Sequence, residues 1–247
     1  FPHLLDLSRV DDLVFVSEPL RDFTMDVAPR LKEPGAPRTP VVTNAARLGR
    51  YRRPKPPNAR FTLGQVGLSQ IAKDPRWTFE VLRELRRRDD RYNLVLIGTE
   101  LADPPTEQAV AYHREYRREL ASLEAEGAVR RLGQTDDVPG ALADVGVILS
   151  ASVREAFHLG LVEGAAGGAV PVVRDWPFFA GRARSARSIF PADWMVETPL
   201  QAADRILAQT ASEETWRKSG EAAAQHALMT WDWSVVQADY DRLFAQP

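Results

Sequence analysis

Two glutamates eight residues apart and one isolated lysine are the residues best placed to do chemistry. Glu155 and Glu163 bracket the run Glu155-Ala156-Phe157-His158-Leu159-Gly160-Leu161-Val162-Glu163. A wholly helical span of that length rises about 12 Å, which does not place the two carboxylates as a firm acid/base pair. It suits two grips on an elongated ligand, because a carboxylate accepts well from paired hydroxyls. A helix starts near His158, and its free amides and dipole would favour an anion at the middle of that ligand. Two hydroxyl-rich ends joined by a diphosphate describe a nucleotide-sugar. Lys73 stands between a strand and a helix start, in Gly67-Leu68-Ser69-Gln70-Ile71-Ala72-Lys73-Asp74, and could reach the same diphosphate. It is one of only four Lys, at 32, 55, 73 and 218, among 32 basic residues. Spacing alone leaves a plainer alternative open: one capping Glu, one exposed Glu and a surface Lys.

Glycine marks the same segment. Gly160, Gly164 and Gly168 recur every four residues and would line one helix face. Each costs a helix roughly 1 kcal/mol relative to Ala, a cost that makes sense where a backbone or ligand must come close.

These residues need a frame, and the apolar pattern supplies one. Short runs at 13–17, 41–43, 61–67, 93–98, 129–132, 145–150 and 170–173, several of them continuous in Val, Ile and Leu, predict strands. Amphipathic stretches at 19–28, 75–88, 107–126, 138–143, 160–166, 199–209, 213–226 and 234–245 predict helices. Alternation of this kind implies an α/β protein, a Rossmann-like three-layer domain with a mainly parallel sheet. The continuous apolar strands fit a sheet covered on both faces. Glu155 follows the run at 145–150, at the carboxyl end of a strand, where open α/β sheets bind ligands. The stretch 48–60 is rich in Pro and Arg and has no apolar period, so it is expected to be an extended, solvated linker. Residues 1–47 hold too few elements to bury a core alone. The chain begins with Phe, in what looks like continuing sequence, which predicts a piece of something longer.

Composition removes several classes. Among 247 residues there is no Cys, which excludes disulfide scaffolds and thiol nucleophiles and suits a reducing compartment; a cytoplasmic location is expected. A formal charge of −2 argues against a dedicated nucleic-acid binder. No apolar run reaches the roughly 18–20 residues of a membrane span, although peripheral membrane contact stays open. The G-x-G-x-x-G, P-loop, G-x-S-x-G and H-E-x-x-H motifs are missing. The four His, at 3, 113, 158 and 226, do not cluster as ligands, and Asp239-Tyr240-Asp241 is expected to be an exposed helical pair rather than a metal site.

Taken together, the segments resemble the family-4 retaining glycosyltransferases of GT-B fold, over nearly the whole chain from about residue 12. The Glu155–Glu163 run resembles that family's E-G-F-G-L-x-x-x-E signature. Asp136-Asp137-Val138-Pro139 with Ala143-Asp144-Val145 resembles the stretch before the signature strand, and Ala169-Val170-Pro171-Val172-Val173 the strand after it. Val14-Phe15-Val16-Ser17 and Thr43-Asn44 resemble the last strand–helix–strand unit of the N-terminal domain. Thr230-Trp231-Asp232-Trp233 resembles the closing element that crosses back to it. Leu68 falls where the family often carries Arg, and His158 replaces the second Gly of the signature.

The resemblance implies a division into residues 1–55, a truncated N-terminal unit with its linker; 56–230, a donor-binding domain (the GT-B C-terminal half); and 231–247, a returning helix. It implies that Glu155 holds donor-sugar hydroxyls and Glu163 the ribose, while Lys73 neutralises the leaving group. Phe157, His158, Leu159 and Gly160 would line the phosphates, with Gly67 beside them, and the base would sit near Gly98, Arg131 and Leu132. Transfer would be metal-independent and retaining, from a nucleotide-sugar, with a further acceptor domain as partner. A GT-B-shaped nucleotide-sugar epimerase and a non-catalytic module of the same fold are the alternatives.

Overall fold

A computed structural model describes residues 6–101, 104 and 106–245; His3 lies outside them. Six parallel strands form one sheet: β1 (Thr62–Val66), β2 (Asn93–Ile97), β3 (Val129–Gly133), β4 (Val147–Ser150), β5 (Val170–Arg174) and β6 (Met195–Val196). Their order across the sheet is β3-β2-β1-β4-β5-β6. The helices are α1 (Glu18–Val27), α2 (Pro75–Arg86), α3 (Glu107–Ala125), α4 (Val138–Ala143), α5 (Leu159–Ala166), α6 (Pro199–Gln209), α7 (Glu213–Trp231) and α8 (Trp233–Phe244).

The strand sequences explain the layering. Alternate residues of a strand face opposite ways, so a strand apolar at every position needs two cores. In β2, Leu94 and Leu96 enter a core with Phe79 and Leu82 of α2, Leu120 of α3 and Ile206 of α6. Val95 and Ile97 enter another, with Leu161 and Val162 of α5 and Ala227 of α7. The mainly parallel, Rossmann-like three-layer domain is therefore the fold observed.

Three expectations are corrected. The runs at 13–17 and 41–43 do not form extended strands; they meet through single bridges, Asp12 with Arg38 and Phe15 with Val41. Too few residues there have a partner strand to propagate a ladder. The two-residue β6 was not anticipated, being too short to show a period. The stretch 48–60 is not a solvated linker: Leu48, Tyr51 and Ala59 are buried, and Leu48–Tyr51 and Pro57–Phe61 are 3₁₀ turns. Pro and Arg disguised it, because its few apolar side chains fall between charged ones.

The junction of α7 and α8 returns to this stretch. Ala46 bridges Asp232, and the Leu48 amide donates to Asp232 Oδ2 at 2.8 Å. α1, capped by the Ser17 hydroxyl, meets residues 178–184 through Arg182–Asp26, Arg184–Glu18 and Phe23 against Phe178.

Candidate functional site

From β1 the chain crosses twice in one direction, to β2 and β3; from β4 it crosses in the other, to β5 and β6. The carboxyl ends of β1 and β4 therefore flank the switch point where open sheets leave a crevice. Both expected catalytic residues arrive there. Lys73 ends a 3₁₀ turn, Ile71–Lys73, that follows β1, and Glu155 lies in the loop leaving β4. Lys73 Nζ meets Glu155 Oε1 at 2.5 Å, and the Ser152 hydroxyl donates to the same oxygen at 2.7 Å. Their side chains are 23% and 14% exposed, so the pair is shielded yet reachable.

Glycine opens the floor beside it. Gly67 ends β1 with φ +83°, and a Cβ there would sit 3.4 Å from Lys73 Cε and 3.7 Å from Nζ. Gly98 ends β2 with φ +121°, and its Cβ would stand 3.4 Å from the Gly67 Cα. Both positions have a positive φ that L side chains rarely adopt, which is the reason for glycine there.

His158 occupies the N-cap of α5 and is buried. Its Nδ1 pairs with the Ser150 hydroxyl at 2.6 Å. Burial, then the Lys73 charge, push the imidazole down to about 4, while Glu155 and the Val66 carbonyl pull weakly the other way. It is neutral at pH 7, so the positive potential at this helix start comes from the first-turn amides of Leu159 and Gly160, which have no carbonyl within the helix to bond. The Leu159 side chain is exposed. Phe157 points away into the aromatic core, against Phe190 and Trp231, so only its backbone faces the crevice side of the loop.

The glycine face of α5 serves the close approach its spacing suggested, toward the sheet and not toward a ligand. A Cβ on Gly160 would lie 2.6 Å from Val66 Cβ, and one on Gly164 2.6 Å from Ile148 Cγ1. These glycines let the helix settle onto β1 and β4. Gly168 lies beyond the helix end, at φ +82°.

Glu163 is not brought to the Lys73–Glu155 pair. Its Oε1 accepts a hydrogen bond from the Tyr51 phenol, which in turn accepts one from Arg50 Nη2 at 2.9 Å. Burial raises the Glu163 carboxyl, and burial together with that carboxyl pushes the Tyr51 phenol up to about 12. Tyr51 and Arg50 were missed, because they sit in the stretch taken as a linker; an aromatic inside a basic run was the only signal. Arg131 lies on β3 and pairs with Glu124 of α3 and with Glu100, while its neighbour Leu132 is partly exposed. Leu68 is buried in the core, so no cation stands there.

Among the described residues no group of three or more His, Asp or Glu side chains converges as a metal-ligand set, and no helix is long and apolar enough to cross a membrane. Asp239 pairs with Arg242 on the surface of α8. A 590 Å³ surface cavity between Asp193, Met195, Gln201 and Arg205 lies at the β6 edge, away from these residues.

No protein-family profile matches the chain, and no curated protein matches it in sequence. Solved structures match it in shape. The Anabaena protein HepE in complex with UDP and glucose superposes with a TM-score of 0.73 at 15% identity, over 96% of this chain and 63% of that one. TarM of S. aureus, in complex with UDP and other ligands, gives 0.74 at 14%, over 97% and 45%. The pneumococcal O-GlcNAc transferase GtfA, with UDP and GlcNAc, gives 0.67 at 15%, over 95% and 44%. At such identities the likeness is one of fold: the sheet and helices match one half of a GT-B glycosyltransferase. The chain spans between 44% and 65% of the length of the matched structures cited here and of HepE with UDP-glucose.

Proposed function

We propose that this chain binds a nucleotide-sugar at the switch point of its sheet and serves as the donor-binding half of a retaining glycosyltransferase, with residues 56–230 as the donor domain. The observation that carries the reading is the Lys73–Glu155 pair, set between the carboxyl ends of β1 and β4 beside Gly67 and Gly98. The likeness in fold to proteins solved with UDP supports it.

Glu155 is held by Lys73 and Ser152, and these two contacts aim its carboxylate. When the donor enters, Glu155 accepts from hydroxyls of the sugar, and the Lys73 ammonium turns to the diphosphate. The backbone amides of His158, Leu159 and Gly160 take phosphate oxygens at the positive end of α5. Glu163 keeps Tyr51 on one oxygen and offers the other to the ribose. The base stacks over the glycine floor near Gly98, with Leu132 exposed on the neighbouring strand. As the glycosidic bond lengthens, negative charge gathers on the diphosphate; Lys73 and the helix amides stabilise it, and the acceptor attacks from the face the diphosphate leaves.

Calorimetry with UDP, GDP and ADP and their glucose conjugates tests the reading. Binding of at least one pair is expected, undiminished in EDTA, because Lys73 and the amides supply the positive potential. Glu163→Ala is expected to weaken the free nucleoside diphosphate more than Glu155→Ala, by about 1.5–3 kcal/mol for a lost charge-assisted hydrogen bond. Absence of binding to all three nucleotides, or strict dependence on magnesium or manganese, would overturn the proposal.

A further inference from the structure

We propose that Asp74 and Arg174 form a clamp that positions Lys73, an inference that rests on the reading of Lys73 as the diphosphate contact. Asp74 is the only non-glycine with positive φ among the described residues, at φ 41°, ψ 61°. An L-residue there is strained, although Asp tolerates it better than most. It precedes α2 directly, in the place of a helix cap, yet its carboxylate caps nothing.

The carboxylate is used sideways instead. Asp74 Oδ1 accepts from the Tyr112 phenol at 2.9 Å, and Oδ2 from Arg174 Nη1 at 2.6 Å. Burial, then the Asp74 charge, raise the Tyr112 phenol far above its ordinary value, so it stays a donor. Arg174 ends β5, lies over the Trp77 ring, and donates from the same Nη1 to the Ala151 carbonyl at 3.2 Å, four residues before Glu155. One guanidinium therefore ties the residue after Lys73 to the loop that carries Glu155.

Two further bonds fix the backbone on the other side. The Val153 amide donates to the Ala72 carbonyl at 2.7 Å, and the buried Gln65 amide donates to the Lys73 carbonyl at 2.8 Å while accepting from the Thr78 hydroxyl. The main chain at 72–74 is thus held from β1, β5 and the β4 loop at once, leaving the Lys73 side chain as the part that moves. A residue needed only for the turn would be glycine. An aspartate adds a charged tether to the loop of the opposing carboxylate.

The test is a double-mutant cycle read as a ratio of affinities. Whichever of UDP, GDP or ADP binds tightest is titrated alongside its own nucleoside, which lacks the phosphates. Asp74→Gly keeps a backbone that accepts the left-handed turn and removes the tether. It is expected to weaken the nucleoside diphosphate about tenfold, leave the nucleoside unchanged, and add little to the loss in Lys73→Ala, since residues acting as one unit are not additive. Asp74→Asn, which retains tolerance for the turn and an acceptor for Tyr112, is the second variant should the glycine form fold poorly. A diphosphate-to-nucleoside ratio equal to that of the natural protein in a folded Asp74 variant, with Lys73→Ala still lowering it, would overturn the clamp alone. An unchanged ratio in Lys73→Ala would overturn the role of Lys73 itself, and the clamp with it. Full additivity of the two losses would show that Asp74 acts independently of Lys73, which also sinks the proposal.

Discussion

His158 shows how a residue type can mislead about the role of a side chain. A histidine at the start of a helix invites a charged role, yet this imidazole is enclosed, bonded to Ser150, and held neutral down to about pH 4. Its depressed value has a consequence for stability. The unfolded chain protonates this histidine near pH 6.5, whereas the folded one does not until near 4. Below pH 6.5 the unfolded state therefore binds the extra proton, and the folded state loses ground as pH falls; above 6.5 the contribution is flat. Across that window the loss attributable to His158 is on the order of 3 kcal/mol. Urea unfolding of the natural protein and of His158→Gln between pH 7.5 and 4.5 checks it: the stability difference between the two should shift toward the variant as pH drops. Parallel curves would show that the imidazole takes up a proton in the folded state.

At the scale of elements, α5 is the piece on which position depends most. It carries the amides and Glu163, and two missing side chains allow it to lie on β1 and β4. Gly160→Ala would place a methyl carbon 2.6 Å from Val66 Cβ. The gain in helix propensity, about 1 kcal/mol, is smaller than the strain of overpacking a filled contact, about 1–3 kcal/mol. A lower urea midpoint is the expected result, together with weaker nucleotide binding as the helix start lifts; an unchanged midpoint would show that β1 yields freely. This element also shows what could be read in advance. The apolar strands β2, β4 and β5 announced themselves, since runs such as Leu94 to Ile97 can only be buried on both faces. The four-residue glycine spacing was legible too, but its target was not, because a pattern within one helix says nothing of which strand side chain lies opposite. For the same reason the Tyr51–Glu163 bond was invisible: 112 residues separate its partners, and only the folded sheet brings them together. Lys73 and Glu155, 82 residues apart, were connected beforehand only as separate contacts to one elongated ligand, through the strand-end setting of each and the family resemblance, not as a pair.

At the scale of the whole molecule, the described residues form one doubly wound sheet, which supplies one wall of the crevice above β1 and β4. The unit at 12–42 reaches it through α1 and the ion pairs of Arg182 and Arg184, not through a sheet of its own. Transfer needs an acceptor held against the donor, and positioning of that kind accounts for effective molarities of about 10⁵–10⁸ M. The 247 residues alone are therefore expected to bind donor and yet fail to glycosylate added acceptors; product analysis by mass spectrometry checks this. Sustained turnover at about 1–10³ s⁻¹, ordinary for enzymes, would show that the chain holds both walls. The aromatic core beneath the Glu155 loop has a consequence of another kind. Phe157, two residues after Glu155 in that loop, rests edge-on against Trp231, which also touches Phe190, Trp194 and His226. A shift of that loop would change the surroundings of those indoles, so tryptophan emission is expected to report a ligand captured beside Glu155, with no added label.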